Sequence, residues 1–169
     1  MTPGPDLTLR CRCGKVECVI RGEPILTAVC YCDDCQAAAA EIEAAGNGPP
    51  VTDPDGGTQL TLVRKDRFAV TTGADRLVAR KRDAASPTNR RVASCCNSAM
   101  FLDFDRGPFW VSALASRITG TGPQIDMRIQ TKYRTSPLPF PDNAPRYASY
   151  PKRFIAMMMW EWVKLKLGR

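Results

Sequence analysis

Cysteine thiols at short spacings are the side chains here whose type and arrangement could do chemistry. Seven of the eight cysteines fall in three tight groups: Cys11-x-Cys13, Cys30-Tyr-Cys32-Asp-Asp-Cys35 and Cys95-Cys96. Thiols one or three residues apart can direct sulfur to one ion at about 2.3 Å without strain. Gly14 and Asn97, which follow the first and last groups, tolerate a left-handed backbone that turns amides toward sulfur. A closed four-thiolate site needs two such turns, and Cys11/Cys13 with the Cys95-Cys96-Asn97 turn would supply them. Cys95 joins only if the chain turns after it, because neighbours on a strand point oppositely. Cys30, Cys32 and Cys35 then stand as three ligands with an open fourth position, the arrangement of a catalytic rather than a structural zinc. The remaining cysteine, Cys18, alternates with Val16 and Ile20 and reads as a small buried hydrophobe.

The chain of 169 residues has no histidine. That excludes Ser-His and Cys-His catalytic units and any imidazole metal site, which leaves thiolates, carboxylates, tyrosines, lysines or a metal to run the chemistry. No apolar run is long enough to cross a bilayer, and the opening Met1–Asp6 is neither basic nor apolar as a secretory leader would be. A cytoplasmic location is therefore expected, where thiols stay reduced and clustered cysteines read as metal ligands before disulfides. A net charge of +7 permits anionic partners without naming one. The basic residues are dispersed and read as a solvated surface.

Elements that could position the thiols follow from alternation and turns. Leu7–Cys13 and Lys15–Arg21 read as a hairpin bent at Gly14, and Ile25–Tyr31 as a third strand. Asp33-Asp34 sits at the start of a helix over Gln36–Ala45, ended by Gly46. Residues 46–57 read as a turn-rich connection. Five short strands follow, at Gln59–Val63, Arg67–Thr71, Arg76–Arg82, Arg91–Cys95 and Met100–Phe104, with two more segments at Trp110–Thr119 and Ile125–Tyr133. This spacing suggests a sheet sandwich or open barrel. The proline-rich stretch 136–151 should be extended on the surface. A terminal helix from Pro151 carries a stripe of Phe154, Met158, Trp162 and Leu165, with further apolar residues outside it. The expected division is a β-rich zinc-binding domain over 1–135 and an extension over 136–169. The terminal helix would pack on the domain, with a second copy in a homodimer and then a membrane surface as the alternatives.

The motifs Cys11-Arg-Cys13-Gly14-Lys-Val16, Val29-Cys30-Tyr-Cys32-Asp-Asp-Cys35 and Arg91-Val-Ala-Ser-Cys-Cys96-Asn-Ser98 together resemble the glutathione-dependent formaldehyde-activating enzyme (GFA) family, in particular a bacterial branch of it. The resemblance spans about residues 7–105. It implies a mainly β fold of antiparallel sheets of the β-tent (Mss4-like) type, with a short helix and, here, a C-terminal one. It also implies a structural zinc on the first and last cysteine pairs and a catalytic zinc on the middle trio. Two positions depart from the family pattern. Tyr31 stands where a histidine is usual, while Ala93 and Asn97 replace a cysteine and a glycine of the late motif, so that Cys95 becomes the substitute ligand.

The implied activity is that of a zinc-dependent carbon–sulfur lyase acting on a glutathione or other thiol–aldehyde adduct. Asp33, Asp34 and Tyr31 would lie close enough to orient a substrate, although helix capping is the plainer role for the aspartates. The alternative is a non-catalytic, zinc-stabilised interaction module. Nucleic-acid binding is disfavoured because no basic stripe with interleaved aromatics is present.

Overall fold

The computed structural model describes residues 4–168. Met1–Pro3, part of the opening segment read above for a leader, and Arg169 lie outside the described residues. The architecture is mainly β, mostly antiparallel, with two sheets and two helices. Strands β1 (Leu7–Arg10) and β2 (Glu17–Ile20) form the expected hairpin, with Leu9 opposite Cys18. They join β5 (Phe68–Thr72) in a three-stranded sheet. The larger sheet also contains β3 (Leu26–Cys30), β4 (Thr58–Arg64), β6 (Leu77–Arg80), β7 (Thr88–Ala93), β8 (Ser98–Phe104), β9 (Trp110–Leu114) and β10 (Met127–Ile129). Its strand order is β10-β3-β4-β9-β8-β7-β6, and β10 on β3 is its one parallel pair among the described residues.

Side-chain alternation across the large sheet divides the core in two. Val63, Met100, Val111 and Ala113 face the small sheet and pack against Leu9, Val16, Cys18 and Ile20. Leu60, Leu62, Ala99 and Leu114 face the other way and are covered by helix α1 (Asp33–Ala44), through Ala39 and Ile42, and by helix α2 (Lys152–Lys166). Each face is apolar because successive residues of one strand serve opposite cores. Cys18 is fully buried with Val16 and Ile20, as their alternation requires.

The structure adds two features that strand periodicity could not supply. The connection 46–57 sends Asp55 inward, where its Oδ2 accepts from the Tyr31 hydroxyl at 2.6 Å and pairs with Arg128 at 3.1 Å. Arg128 also donates to the Tyr31 oxygen and to both Asp142 oxygens. Tyr31 and Arg128 are 0% and 1% exposed, so this network lies in the core. Gly57 lets the connection pass, since a Cβ there would sit 2.3 Å from Val29 and 2.9 Å from the Tyr31 ring. The proline-rich stretch then runs along β10, where Arg128 donates its amide to Pro145 and Tyr147 donates back to Arg128. It also lays Phe140 edge-on to Tyr31 and beneath Arg134 and Arg146.

Helix α2 docks on the sheet, but along a face rotated from the expected stripe. Phe154, Met157 and Met158 turn inward, whereas Trp162 is 48% exposed. The hydrophobic pattern misleads because an inward position is acidic: Glu161, one turn beyond Met157 and Met158, lies against buried Arg64 at 3.9 Å and pairs with Lys164. A buried ion pair is costly to break from one side, by roughly 3–5 kcal/mol, whereas an exposed pair contributes under about 1 kcal/mol. Asp55→Ala should therefore lower stability by about 3 kcal/mol or more in urea unfolding. Glu41→Gln, at the exposed Arg82 pair, should change it by less than about 1 kcal/mol. Equal losses would contradict the placement of Asp55.

Candidate metal centres

Two separate groups of sulfur atoms converge, each with every sulfur within 4.8 Å of the others in its group: Cys11, Cys13, Cys95 and Cys96, and Cys30, Cys32 and Cys35. Each group could hold a metal ion. The first is built from two turns. After β1 the chain bends so that Gly14 donates to the Cys11 carbonyl at 3.0 Å and Cys11 donates to Val16 at 3.1 Å, with Gly14 at φ +76°. The second turn joins β7 to β8, with Asn97 left-handed at φ +51°. Because the chain turns over 94–97, Cys95 and Cys96 do not alternate as strand neighbours would, and both sulfurs reach the group. Cys13 lies 3.6 Å from Cys11 and 3.3 Å from Cys95. Cys95 lies 3.9 Å from both Cys11 and Cys96.

Polar hydrogens surround this quartet. The Val16 amide donates to the Cys11 sulfur at 3.3 Å, and the Ser98 hydroxyl lies 3.1 Å from that of Cys96 while accepting from the Arg12 amide. Burial works against ionisation of Cys96, but the Ser98 hydroxyl and the Cys13 amide bring its thiol down to about 6. The Lys15 amide lowers Cys13 in the same way. Burial and the neighbouring thiols push Cys95 up to about 12. Negative charge can therefore be shared among some of these sulfurs, but not by all of them at once without a cation.

The trio sits at the junction of β3 and α1. The helix starts earlier than periodicity suggested, and its N-cap is Cys32, whose sulfur accepts from the Cys35 amide at 3.4 Å. Asp33 and Asp34 occupy the first turn instead of the cap. Cys35 is thereby held one helical turn from Cys32, while the end of β3 supplies Cys30. Hydrogen bonds from the thiols of Cys30 and Cys35, reinforced by the amides of Cys35 and Asp34, hold Cys32 far below the ordinary thiol range. The contact with Cys32, seen from the other side, and burial push Cys30 up to about 12 against the opposing effect of Cys35. A helix N-terminus favours a thiolate for the same reason, since its amides point at the sulfur.

Residues around the trio have distinct roles. Asp34 pairs with Arg90 and, at 3.2 Å, with Arg82, which pins the helix start to β7 and to the connection that leads into it from β6. Tyr31 faces away from the trio, its hydroxyl committed to Asp55 and Arg128, and burial followed by Asp55 raises its pKa. It therefore anchors the end of β3. At the far end of α1, the Asn97 side chain donates to the Ile42 carbonyl at 2.8 Å. One helix thus ties the trio at its start to the quartet's turn at its end. Asp55, Arg128, Ser98 and the Asn97 tie carried no local sequence signal, because their partners lie 14 to 97 residues away or sit in a turn whose geometry only folding reveals.

Cys30, Cys32 and Cys35 line a cleft of about 200 Å³ with walls from β3, β4, β8, β9 and α2. Tyr150 reaches it from the proline-rich segment, its hydroxyl pushed up to about 12 by burial and then by the negative charge of the trio. The molecule is thus a two-sheet β protein carrying two thiol clusters, and all three cysteines of the trio line one cleft. Residues 6–47 match the model of the family described as glutathione-dependent formaldehyde-activating enzyme. That match covers Cys11, Cys13 and the whole trio. A crystal structure of a Rhodobacter sphaeroides protein is similar over 69% of this chain and 91% of that one, at 15% identity and a TM-score of 0.48. No curated protein matches.

Cys18 packs in the core between the sheets, outside both groups, and burial pushes its thiol up to about 12. Cys18→Val should leave stability within about 1 kcal/mol of the parent. Cys18→Ser should cost about 1–3 kcal/mol by burying an unsatisfied hydroxyl. Neither should alter metal content by elemental analysis; a lost equivalent would make Cys18 a ligand.

Proposed function

We propose that both cysteine groups bind zinc, with Cys11, Cys13, Cys95 and Cys96 as a structural site and Cys30, Cys32 and Cys35 as a reactive one. Four sulfurs around a tetrahedral zinc at about 2.3 Å stand roughly 3.8 Å apart. Four of the quartet's six separations, 3.3 to 3.9 Å, support that fit, and all six lie within 4.8 Å. All-sulfur donor sets suit zinc and exclude hard cations such as calcium or magnesium. Structural zinc sites are closed by four protein ligands, whereas catalytic ones keep a position for substrate. The observation that carries the reading is that all three cysteines of the trio line one cleft, whereas of the quartet only Cys96 borders a hollow, a more open one at the surface.

The reaction class is formation and cleavage of a carbon–sulfur bond in a thiol–aldehyde adduct, as the GFA family name suggests. Zinc held by three thiolates would supply a Lewis acid that favours the thiolate form of an incoming thiol at neutral pH. In the adding direction the substrate sulfur bonds to the aldehyde carbon. The carbonyl electron pair moves to oxygen, and the proton given up by the thiol ends there. The reverse breaks the carbon–sulfur bond, restores the carbonyl and returns the proton to sulfur. The protein's own contribution is to hold Cys30, Cys32 and Cys35 on one rigid strand–helix junction and to exclude water with apolar walls. Tyr150 and Ser112 add hydroxyls to the cleft. No histidine base is required by this scheme. Reduced thiols suit the cytoplasm, which is the compartment proposed.

The test combines metal analysis and unfolding on protein purified under reducing conditions. The parent should contain two zinc ions per chain. Cys32→Ser should keep its fold and lose one. Cys13→Ser should lose about 3 kcal/mol or more of stability, a fraction of the roughly 10–16 kcal/mol that a structural zinc can contribute. One tightly held zinc with no thiol binding would favour the interaction module instead. A metal-free parent that is properly folded would overturn both assignments.

A further inference from the structure

The cleft beside the trio also bears on which thiol could enter. Its walls are Leu60, Leu62, Leu102, Phe104, Trp110 and Phe154. Its polar lining beyond the cysteines is confined to hydroxyls and the carboxylate of Asp34, with no lysine or arginine among the described lining residues. The cations beside Asp34, Arg90 and Arg82, are paired to it, and the remaining nitrogen of Arg90, Nη1, is buried without a partner and is not part of this cleft's lining. Glutathione carries two carboxylates and an ammonium group. A carboxylate placed here would lose its water without gaining a partner, which is strongly unfavourable. Size points the same way, because about 200 Å³ falls below the roughly 300–1,000 Å³ of pockets that enclose drug-sized ligands.

We propose that the trio's cleft takes a small apolar thiol, of alkyl or aryl type, or its aldehyde adduct, in place of a charged tripeptide. This rests on the reading of the trio as the reactive metal site. The walls favour such a substrate through each methylene removed from water, and Phe154 from α2 closes one side. The test is calorimetric titration of the zinc-loaded protein with butanethiol and with glutathione, alongside metal analysis. Butanethiol should bind at least tenfold more tightly. Phe104→Arg, checked for folding by urea unfolding, should narrow or reverse that preference by supplying a cation. If the trio's zinc is present and glutathione binds as tightly or more so, the apolar substrate class is wrong while the site stands. If zinc is present and neither thiol binds, both the substrate class and the reactive-site reading fail.

A separate observation concerns α2. Its outward face leaves Ile155, Met159, Trp160, Trp162, Val163 and Leu167 exposed, with Met159, Trp160 and Leu167 each above 60%. Large apolar side chains gathered on one exposed face mark an interaction surface. The charges around it are positive, namely Lys152, Arg153 and Lys166, while the helix's one acid, Glu161, turns inward to Arg64 and is paired with Lys164. Two copies meeting on this face about a two-fold axis would set lysine against lysine with no acid of the helix to answer it.

We infer that α2 lies on an anionic lipid surface, its tryptophans at the headgroup level and its lysines against phosphates. No helix of the described residues is long and apolar enough to cross a membrane, so the contact would be in-plane. The full chain should co-sediment with phosphatidylglycerol-containing vesicles and not with pure phosphatidylcholine, with a blue shift of tryptophan emission. Binding should fall at least tenfold in Trp160→Glu, whose urea unfolding should match the parent. No binding to anionic vesicles, or unchanged binding in Trp160→Glu, would overturn the inference. So would a concentration-dependent dimer abolished by that substitution, which would make a second copy the occupant.

Discussion

Bringing seven thiol groups into two knots is the constraint on which this structure depends. Sulfurs 3.3 to 3.9 Å apart cannot all ionise beside one another, and the local hydrogen bonds already favour the thiolate at Cys13, Cys32 and Cys96. Opposing demands of that kind are resolved by protons on some sulfurs or by a cation shared among them. The two turns of the quartet are far apart in sequence, so whatever binds there also joins the small sheet to the large one. The trio involves one local junction, and its ligands come from a strand end and the first turn of a helix. That difference in construction matches the difference in proposed role.

Helix α1 couples the two. It starts at Cys32, which caps it, and its last turn accepts from Asn97 beside Cys96. Asp34 ties its start to Arg90 on β7, the strand that leads into the Cys95-Cys96 turn. On the other side of β3, Tyr31, Asp55 and Arg128 fix the strand that carries Cys30. Tyr31, between two cysteines of the trio, is thus a buried structural residue.

Much of this was legible from residue types and spacing. Alternation placed the strands and buried Cys18, the short cysteine spacings foresaw both groups, and the glycine and asparagine after them marked the turns. What remained hidden depended on distance or on a single residue breaking a pattern. Asp55 looked like part of a plain connection, and nothing local marks it as the partner of Arg128, 73 residues on. The docked face of α2 was misjudged because Glu161 occupies an inward position, a choice that makes sense only once Arg64 is seen beneath it. The start of α1 came earlier than expected because a cysteine, seldom counted among capping residues, serves as its N-cap.

The open side of the trio and the exposed side of α2 share one element, since Phe154 lines the cleft while Met159 and Trp160 on the opposite face point outward. Substrate access and surface attachment would therefore meet in a single helix. All of the chemistry, however, returns to whether metal sits among the sulfurs. Anomalous diffraction on crystals of the reduced protein, measured on either side of the zinc absorption edge, tests this most directly. The account predicts two peaks, one enclosed by Cys11, Cys13, Cys95 and Cys96 and one beside Cys30, Cys32 and Cys35. An ordered fold with no peak at either position would contradict it.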